Sequence, residues 1–180
     1  MSHIPNDGNP VSVSLRLPNT YTPPFKDTTP SFTSFNTRWK FTDINSETKC
    51  LADNIYFEGR NQSLKGQLAI GLATLNRVKS KHFPDSICEV VWQQNYSKKT
   101  GKEVAQFSWT LDGKSDVIAN KEVYDKIHLI AESLIAEGTL DNVDDFTEGA
   151  THYHADYVNP YWQKSMQMVA QIDDHLFYKN

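Results

Sequence analysis

The sequence predicts an α+β fold, mostly α, in which a single helical domain carries a small β element. Three observations lead there. Apolar residues recur at steps of three and four over 64–80 and again over 121–137, the period of a helix face. The C-terminal third loses that period, and 149–154 and 172–178 read as short strands or extended segments. Six of the eight prolines fall within residues 1–36, interleaved with Ser, Thr and Asn. Such a stretch buries too little apolar surface to offset its ordering entropy, so 1–36 is expected to form an arm or linker and 37–180 the domain.

The core is expected to begin near Trp39. A first helix is predicted over 47–58, with Ser46 as its N-cap and Gly59 close to its end. In the second, over 64–80, Leu64, Leu68, Leu72, Leu75 and Val78 share a face, and Ala69, Ile70 and Ala73 make the flanks apolar as well. A helix apolar on most sides belongs at the centre of the domain. Pro84 closes this region, because the residue before a proline disfavours helix. A short helix or turn follows at 87–93, then a polar loop at 95–102. The third long helix, over 121–137, carries Val123, Ile127, Ile130, Ala131 and Leu134 as its stripe, an i,i+4 pair in Glu122 and Lys126, and Gly138 as its stop.

At 180 residues the chain suits one domain, large enough to bury a core without a metal or disulfide staple. The formal net charge of −4 is spread over both signs, which argues against nucleic acid as partner, since phosphate backbones are held by clustered Lys and Arg. Lys98, Lys99 and Lys102 cluster locally and suit a solvated loop. Cys50 and Cys88 lie far apart, and their spacing does not say whether they pair. The N-terminus shows no basic segment leading into an apolar one, and no run approaches the roughly 20 apolar residues of a membrane span. Synthesis in the cytoplasm without a visible signal peptide, no membrane span and a monomeric state are therefore expected.

Glu58 is the first candidate for chemistry. It stands at the polar exit of an apolar turn, after Ile55, Tyr56 and Phe57 and before Gly59 and Arg60. A glutamate flanked by aromatics loses hydration and keeps its proton above the free value of about 4.3, as a general acid must. An ordinary surface glutamate on an amphipathic helix is the bland alternative.

The motifs around it are recognisable. They run A-D-N-I-Y-F-E-G-R at 52–60, G-Q-L-A-I-G-L-A-T-L-N-R-V at 66–78, F-P-D-S-I-C-E-V-V-W-Q at 83–93, and Q-F-S-W at 106–109. D-F-T-E-G-A-T-H-Y-H at 145–154, P-Y-W at 160–162 and I-D-D-H-L-F-Y at 172–178 complete the series. In this order they resemble the SleB-like cell wall hydrolases, the spore-cortex-lytic enzymes and their phage and bacterial relatives, over residues 51–178. The resemblance implies a lysozyme-like fold and cleavage of peptidoglycan glycan strands, usually as a lytic transglycosylase, with Glu58 at the position of the catalytic glutamate and no cofactor. It also implies action on the cell wall, and the missing signal peptide and wall-binding repeats suggest phage lysis or virion-associated release as the setting.

Departures from the family pattern are informative. The usual E-A-R-G-E reads E-G-R-N-Q here, with Gln62 in place of a second glutamate, which suits single-carboxylate chemistry. Phe146 replaces a frequent proline, Glu148 a neutral polar residue and Asp173 a glycine; Glu148, if near the cleft, would influence Glu58 or activate water. Gln106, Ser108 and Trp109 are candidates for one wall of a sugar cleft, and Thr151, Tyr153, His175 and Tyr178 for the other. Asn76 and Arg77 are expected to tie helix to loop by hydrogen bonds. Two other classes of function stay open: a zinc amidase using His152, His154 and His175 with Asp156, and a non-catalytic glycan-binding or virion module.

Overall fold

The computed structural model describes residues 41–97, 100–136 and 145–180, with the side chains of 41–43 left aside. The expected arm at 1–36, the start of the core near Trp39, Lys98 and Lys99, and the stop at Gly138 lie outside the described residues. Four helices, five strands and two 3₁₀ turns are described, in the order α1 (Phe41–Gly59), α2 (Leu64–Lys79), α3 (Ile87–Val91), β1 (Gln94–Ser97), β2 (Lys102–Ala105), a turn at Ser108–Leu111, α4 (Lys121–Ala136), β3 (His152–Ala155), a turn at Tyr161–Ser165, β4 (Gln167–Ile172) and β5 (His175–Lys179). The α+β, mostly helical architecture is as the sequence predicts.

Helix α1 starts earlier than expected, so Ser46 lies inside it and is no N-cap. Glu47 is spent on another helix end. Its Oε2 accepts from the backbone N–H of Ile87 at 2.6 Å and of Cys88 at 3.1 Å, satisfying donors that the first turn of α3 leaves orphaned. Beside this contact Cys50 and Cys88 are joined by a disulfide, with 5.2 Å between their Cα atoms. The sequence left that pairing open.

Helix α2 is the central one, as its all-round apolar pattern predicts. Ala69, Ile70 and Ala73 are wholly buried, with Leu72, Leu75 and Val78 close behind. Gly71 marks where three helices meet: a Cβ there would lie 2.5 Å from Leu134 Cδ1 of α4 and 3.1 Å from Ile55 Cδ1 of α1. On α4, Ile127, Ala131 and Leu134 are the buried stripe. Its N-terminus is set by Asn120, whose Oδ1 accepts from Val123 N at 3.1 Å while its own N–H donates to Tyr56 Oη at 3.0 Å.

The β content departs from expectation in two places. Residues 94–97 and 102–105 pair antiparallel, Gln94 opposite Ala105 and Ser97 opposite Lys102, where a polar loop was expected over 95–102. These residues are mostly exposed on both faces, so no alternation betrays the pairing. The stretch 172–178 is not one strand. It is the end of β4, a turn at Asp173 and Asp174, and β5, which pairs with both β4 and β3 in a three-stranded antiparallel sheet.

That turn explains the departure at position 173. Asp173 has φ 49°, a left-handed conformation that glycine adopts freely and Asp tolerates better than most residues. Its carboxylate is also used: Oδ2 accepts from Ser63 N at 2.9 Å and Ser63 Oγ at 2.7 Å. Gln62, at the position of the family's second glutamate, exchanges bonds with Asp174, donating to Oδ2 at 3.3 Å and accepting from its N–H at 3.4 Å. The link between α1 and α2 is thereby clasped to the β4–β5 turn.

Candidate active site

Glu58 is in the last turn of α1, on the floor of a groove of about 630 Å³. The groove is also lined by Ser108, Trp109 and residues of the loop 112–119, and by Tyr153, the end of β3 with Tyr157 and Val158 beyond it, and His175.

The floor is built by a buried polar chain that the sequence reading missed. Asn54, one helical turn before Glu58, is fully buried. Its Oδ1 accepts from Trp109 Nε1 at 3.0 Å, and its Nδ2 donates to Thr74 Oγ1 at 3.1 Å. Thr74 in turn donates to the Ile70 carbonyl at 3.0 Å. Trp109 is thus fixed, and Phe57 stacks on it with centroids 4.6 Å apart and planes 23° from parallel. An apolar plate results beside the carboxyl group. The available signal was the i,i+4 relation of Asn54 to Glu58 in an otherwise apolar helix turn.

Burial raises the Glu58 pKa from 4.5 to about 7, against the smaller opposing pulls of a Tyr153 hydrogen bond and the Arg77 charge. The Tyr153 hydroxyl donates to Glu58 Oε2 at 3.4 Å, long for an O–H···O bond and so weak. Near neutrality Glu58 holds both protonation states in comparable amounts, the condition for giving a proton and taking one back.

Arg77 and Asn76 tie helix to loop as expected. Asn76 Nδ2 donates to Asp145 Oδ2 at 2.9 Å and to the Ala150 carbonyl at 3.1 Å, and Arg77 Nε donates to the Thr151 carbonyl at 2.6 Å. Burial pushes the Asp145 carboxyl up, but hydrogen bonds from Thr147, Asn76 and Gly149 outweigh it and hold the group below its ordinary value. Arg60 extends over the Tyr56 ring, 5.3 Å from its centroid.

Of the residues singled out in the sequence, Glu58, Ser108, Trp109, Tyr153 and His175 meet around one groove. Three others do not line it. Gln106 sits at the foot of the β1–β2 hairpin, its N–H donating to the Gln93 carbonyl at 3.0 Å. Thr151 lines a separate depression with Asn76, Lys79 and His82. Tyr178 is 5% exposed and stacks on His154, with centroids 5.2 Å apart. Glu148 also lies elsewhere, its carboxylate 3.4 Å from Lys179 Nζ. Trp109 offers no indole N–H, which Asn54 already takes.

The zinc set of the rival reading is not gathered. His152 and His154 both pack on Trp162, at 5.3 and 5.5 Å, whereas His175 packs on Tyr153 at 5.5 Å. His154 Nε2 is engaged with Gln163 Oε1 at 3.0 Å and Tyr178 Oη at 3.1 Å. Among the described residues no three His, Cys, Asp or Glu side chains converge in a way that could hold a metal ion.

Comparison with known proteins agrees with the fold. The model of the cell wall hydrolase family matches residues 61–178, beginning three residues after Glu58. Among curated proteins the chain is similar to the spore cortex-lytic enzymes of Bacillus subtilis (24% identity over 74% of this chain) and Halalkalibacterium halodurans (25% over 73%). It spans about a third of those relatives, 37% and 34% of their lengths. Among solved structures it resembles the catalytic domain of the Bacillus cereus SleB protein, with a TM-score of 0.57 and 23% identity over 81% of this chain and 99% of that one. It is also similar to the catalytic domain of the germination-specific lytic transglycosylase SleB from Bacillus anthracis, at a TM-score of 0.54 and 25% identity over 78% of this chain and 97% of that one. With the family model covering well over half its length, and the fold of two solved catalytic domains shared along most of it, the chain belongs to the cell wall hydrolase family.

Proposed function

We propose that this chain cleaves the glycan strand of peptidoglycan between N-acetylmuramic acid and N-acetylglucosamine as a lytic transglycosylase, with residues 37–180 as the catalytic domain and Glu58 as its acid and base. The observation that carries this reading is a carboxyl group with a pKa of about 7 on the floor of an open groove, against an aromatic plate. Protonated Glu58 donates to the glycosidic oxygen as that bond breaks and positive charge grows on the sugar ring. The carboxylate left behind then removes the proton of the muramic acid's own C6 hydroxyl, whose oxygen attacks C1 and closes a 1,6-anhydro ring. An intramolecular nucleophile needs no water held by a second acid. Gln62 supports the scheme, because the family's second acidic position serves here to fasten a turn. Ser108, Trp109, Tyr153 and His175 are the side chains assigned to sugar contact.

Hydrolysis is the second reading, because Asp112 and Asp116 on the groove's lip are carboxylates able to orient water. Mass spectrometry of digested sacculi separates the two: anhydro-muramic ends support transglycosylation, and reducing ends carrying ¹⁸O from labelled water replace it with hydrolysis. E58Q must abolish either product. Continued cleavage by that variant refutes the assignment of the acid. The setting proposed with this reading, lysis from within or release with a virion, predicts that added enzyme acts on permeabilised cells as well as on isolated walls.

A further inference from the structure

Arg77 is the anomaly that a purely structural account leaves over. It is a buried cation whose Nε donates to the Thr151 carbonyl at 2.6 Å. Nη1 is buried and meets no acceptor among the described residues. The guanidinium is held between two aromatic rings, 5.2 Å from the Phe83 centroid and 4.8 Å from that of Phe107. Burying a charge without full hydrogen bonding is costly unless an opposite charge compensates. A tie from helix to loop would need only a neutral donor.

The compensating group is identifiable. The Phe107 ring under the guanidinium lies 6.4 Å from the Tyr153 ring, and the Tyr153 hydroxyl donates to Glu58 Oε2 at 3.4 Å, so the acid closes the cluster that Arg77 begins. Across it Glu58 is the carboxyl that acts on Arg77, beside Tyr153, and Arg77 the cation that acts on Glu58. From β3, Tyr153 bonds Glu58 and is kept un-ionised by burial, its pKa well above the ordinary value. His152 is kept neutral, its pKa pushed to about 4 by burial and by Arg77. On the groove side, Arg60 is drawn over Tyr56, and Asp112 pairs with Lys114 at 3.4 Å, leaving Asp116 and a His175 whose pKa burial lowers.

We infer that Arg77 is a positioning residue for Glu58, a fixed positive charge clamped by Phe83, Phe107 and the Thr151 carbonyl, which stabilises the carboxylate formed when the acid gives its proton to the leaving oxygen. The proposal rests on Glu58 being the acid. The electron pair of the broken O–H bond stays on Glu58, and Arg77 neither gives nor takes a proton. The carbonyl that holds Arg77 belongs to Thr151, next to the start of β3 and two residues before Tyr153, so the cation is tied to the segment that carries the tyrosine.

The test reads ionisation directly, without turnover. In the full-length protein with ¹³C-labelled glutamate carboxyls and ¹⁵N-labelled arginine, the Arg77 side-chain resonances should titrate with the same midpoint as Glu58, and E58Q should erase that step. This requires no arginine variant and so survives a folding defect. In R77Q the Glu58 midpoint should rise by about one pH unit, as expected on losing a nearby opposite charge. R77K should leave it close to wild type. In the kcat/KM profile on purified sacculi, the fall at high pH should move up with the midpoint in R77Q, while the low-pH plateau drops at least tenfold. An Arg77 signal blind to Glu58, or a folded R77Q with an unmoved midpoint, overturns the proposal. Cleavage by E58Q would instead overturn the reading of Glu58 and leave the two titrations to be judged on their own.

Discussion

Replacing Glu58 by glutamine should make the protein more stable at high pH and leave it almost unchanged at low pH. The argument is one of linkage. Folding raises the carboxyl pKa from 4.5 to about 7 by burial, so the folded state binds this proton more tightly than the unfolded state does. The resulting stability is fully present below about 4.5 and is lost as pH climbs through 7. At about 1.4 kcal/mol per pH unit, with some relief from solvent at the groove mouth, the cost of the buried carboxylate at pH 8 is about 2–3 kcal/mol. Glutamine has nearly the same shape and never ionises, so E58Q escapes that cost. Urea denaturation followed by tryptophan fluorescence, at pH 4.5 and pH 8 for both proteins, reads the difference directly. E58Q should exceed wild type by about 2–3 kcal/mol at pH 8, roughly 10 °C in Tm, with near equality at pH 4.5. Other titrating groups are common to both proteins and cancel. A difference independent of pH, or a variant less stable at pH 8, would refute the account of a carboxyl strained by burial.

Further outcomes follow from other contacts. C50S/C88S removes a bridge spanning 38 residues, worth about 4 kcal/mol by loop entropy, and should lower Tm by more than 10 °C, an effect that reductant reproduces in wild type and not in the variant. N54A orphans the Trp109 indole N–H and should cost about 2–3 kcal/mol while shifting tryptophan emission, both measurable in one denaturation series. G71A drives a methyl group against Leu134 and Ile55 and should cost about 1–3 kcal/mol, with L134A in the same chain recovering part of it. In D173G the relaxed turn gains up to about 1 kcal/mol but two charge-assisted bonds to Ser63 are lost, so a net loss of about 1 kcal/mol is expected by thermal denaturation.

The helices were legible because each buries one face and its period survives in the sequence. Leu72, Leu75 and Val78 on α2, and Ile127, Ala131 and Leu134 on α4, are where the pattern puts them. The β1–β2 hairpin was not, since Gln94, Asn95 and Tyr96 face solvent across from Glu103 and Val104 and no burial constrains their order. The start of α1 was misjudged because Ser46 suits an N-cap, although it lies inside a helix that begins at Phe41. Groove residues divide similarly. Ser108, Trp109, Tyr153 and His175 arrive from elements whose order the motifs preserve, while Thr151 and Tyr178 flank them in sequence but point to other surroundings. Alternation separates Tyr178 from His175, which lie on opposite faces of β5, whereas Thr151 stands before β3 and opens onto a different depression. Asn54 and Thr74 escaped notice because buried polar residues inside apolar helices give no periodic signal.

The clasp between Gln62, Ser63, Asp173 and Asp174 has a mechanical consequence. Glu58, at the end of α1, precedes it by four residues, and His175 follows it by one. The acid and His175 are therefore gauged by a shared junction, much as one rivet sets the gape of a calliper. On the proposed function those groups would take their orientation from folding, before a glycan strand arrives, and loosening the rivet would be felt in turnover before it was felt in the core.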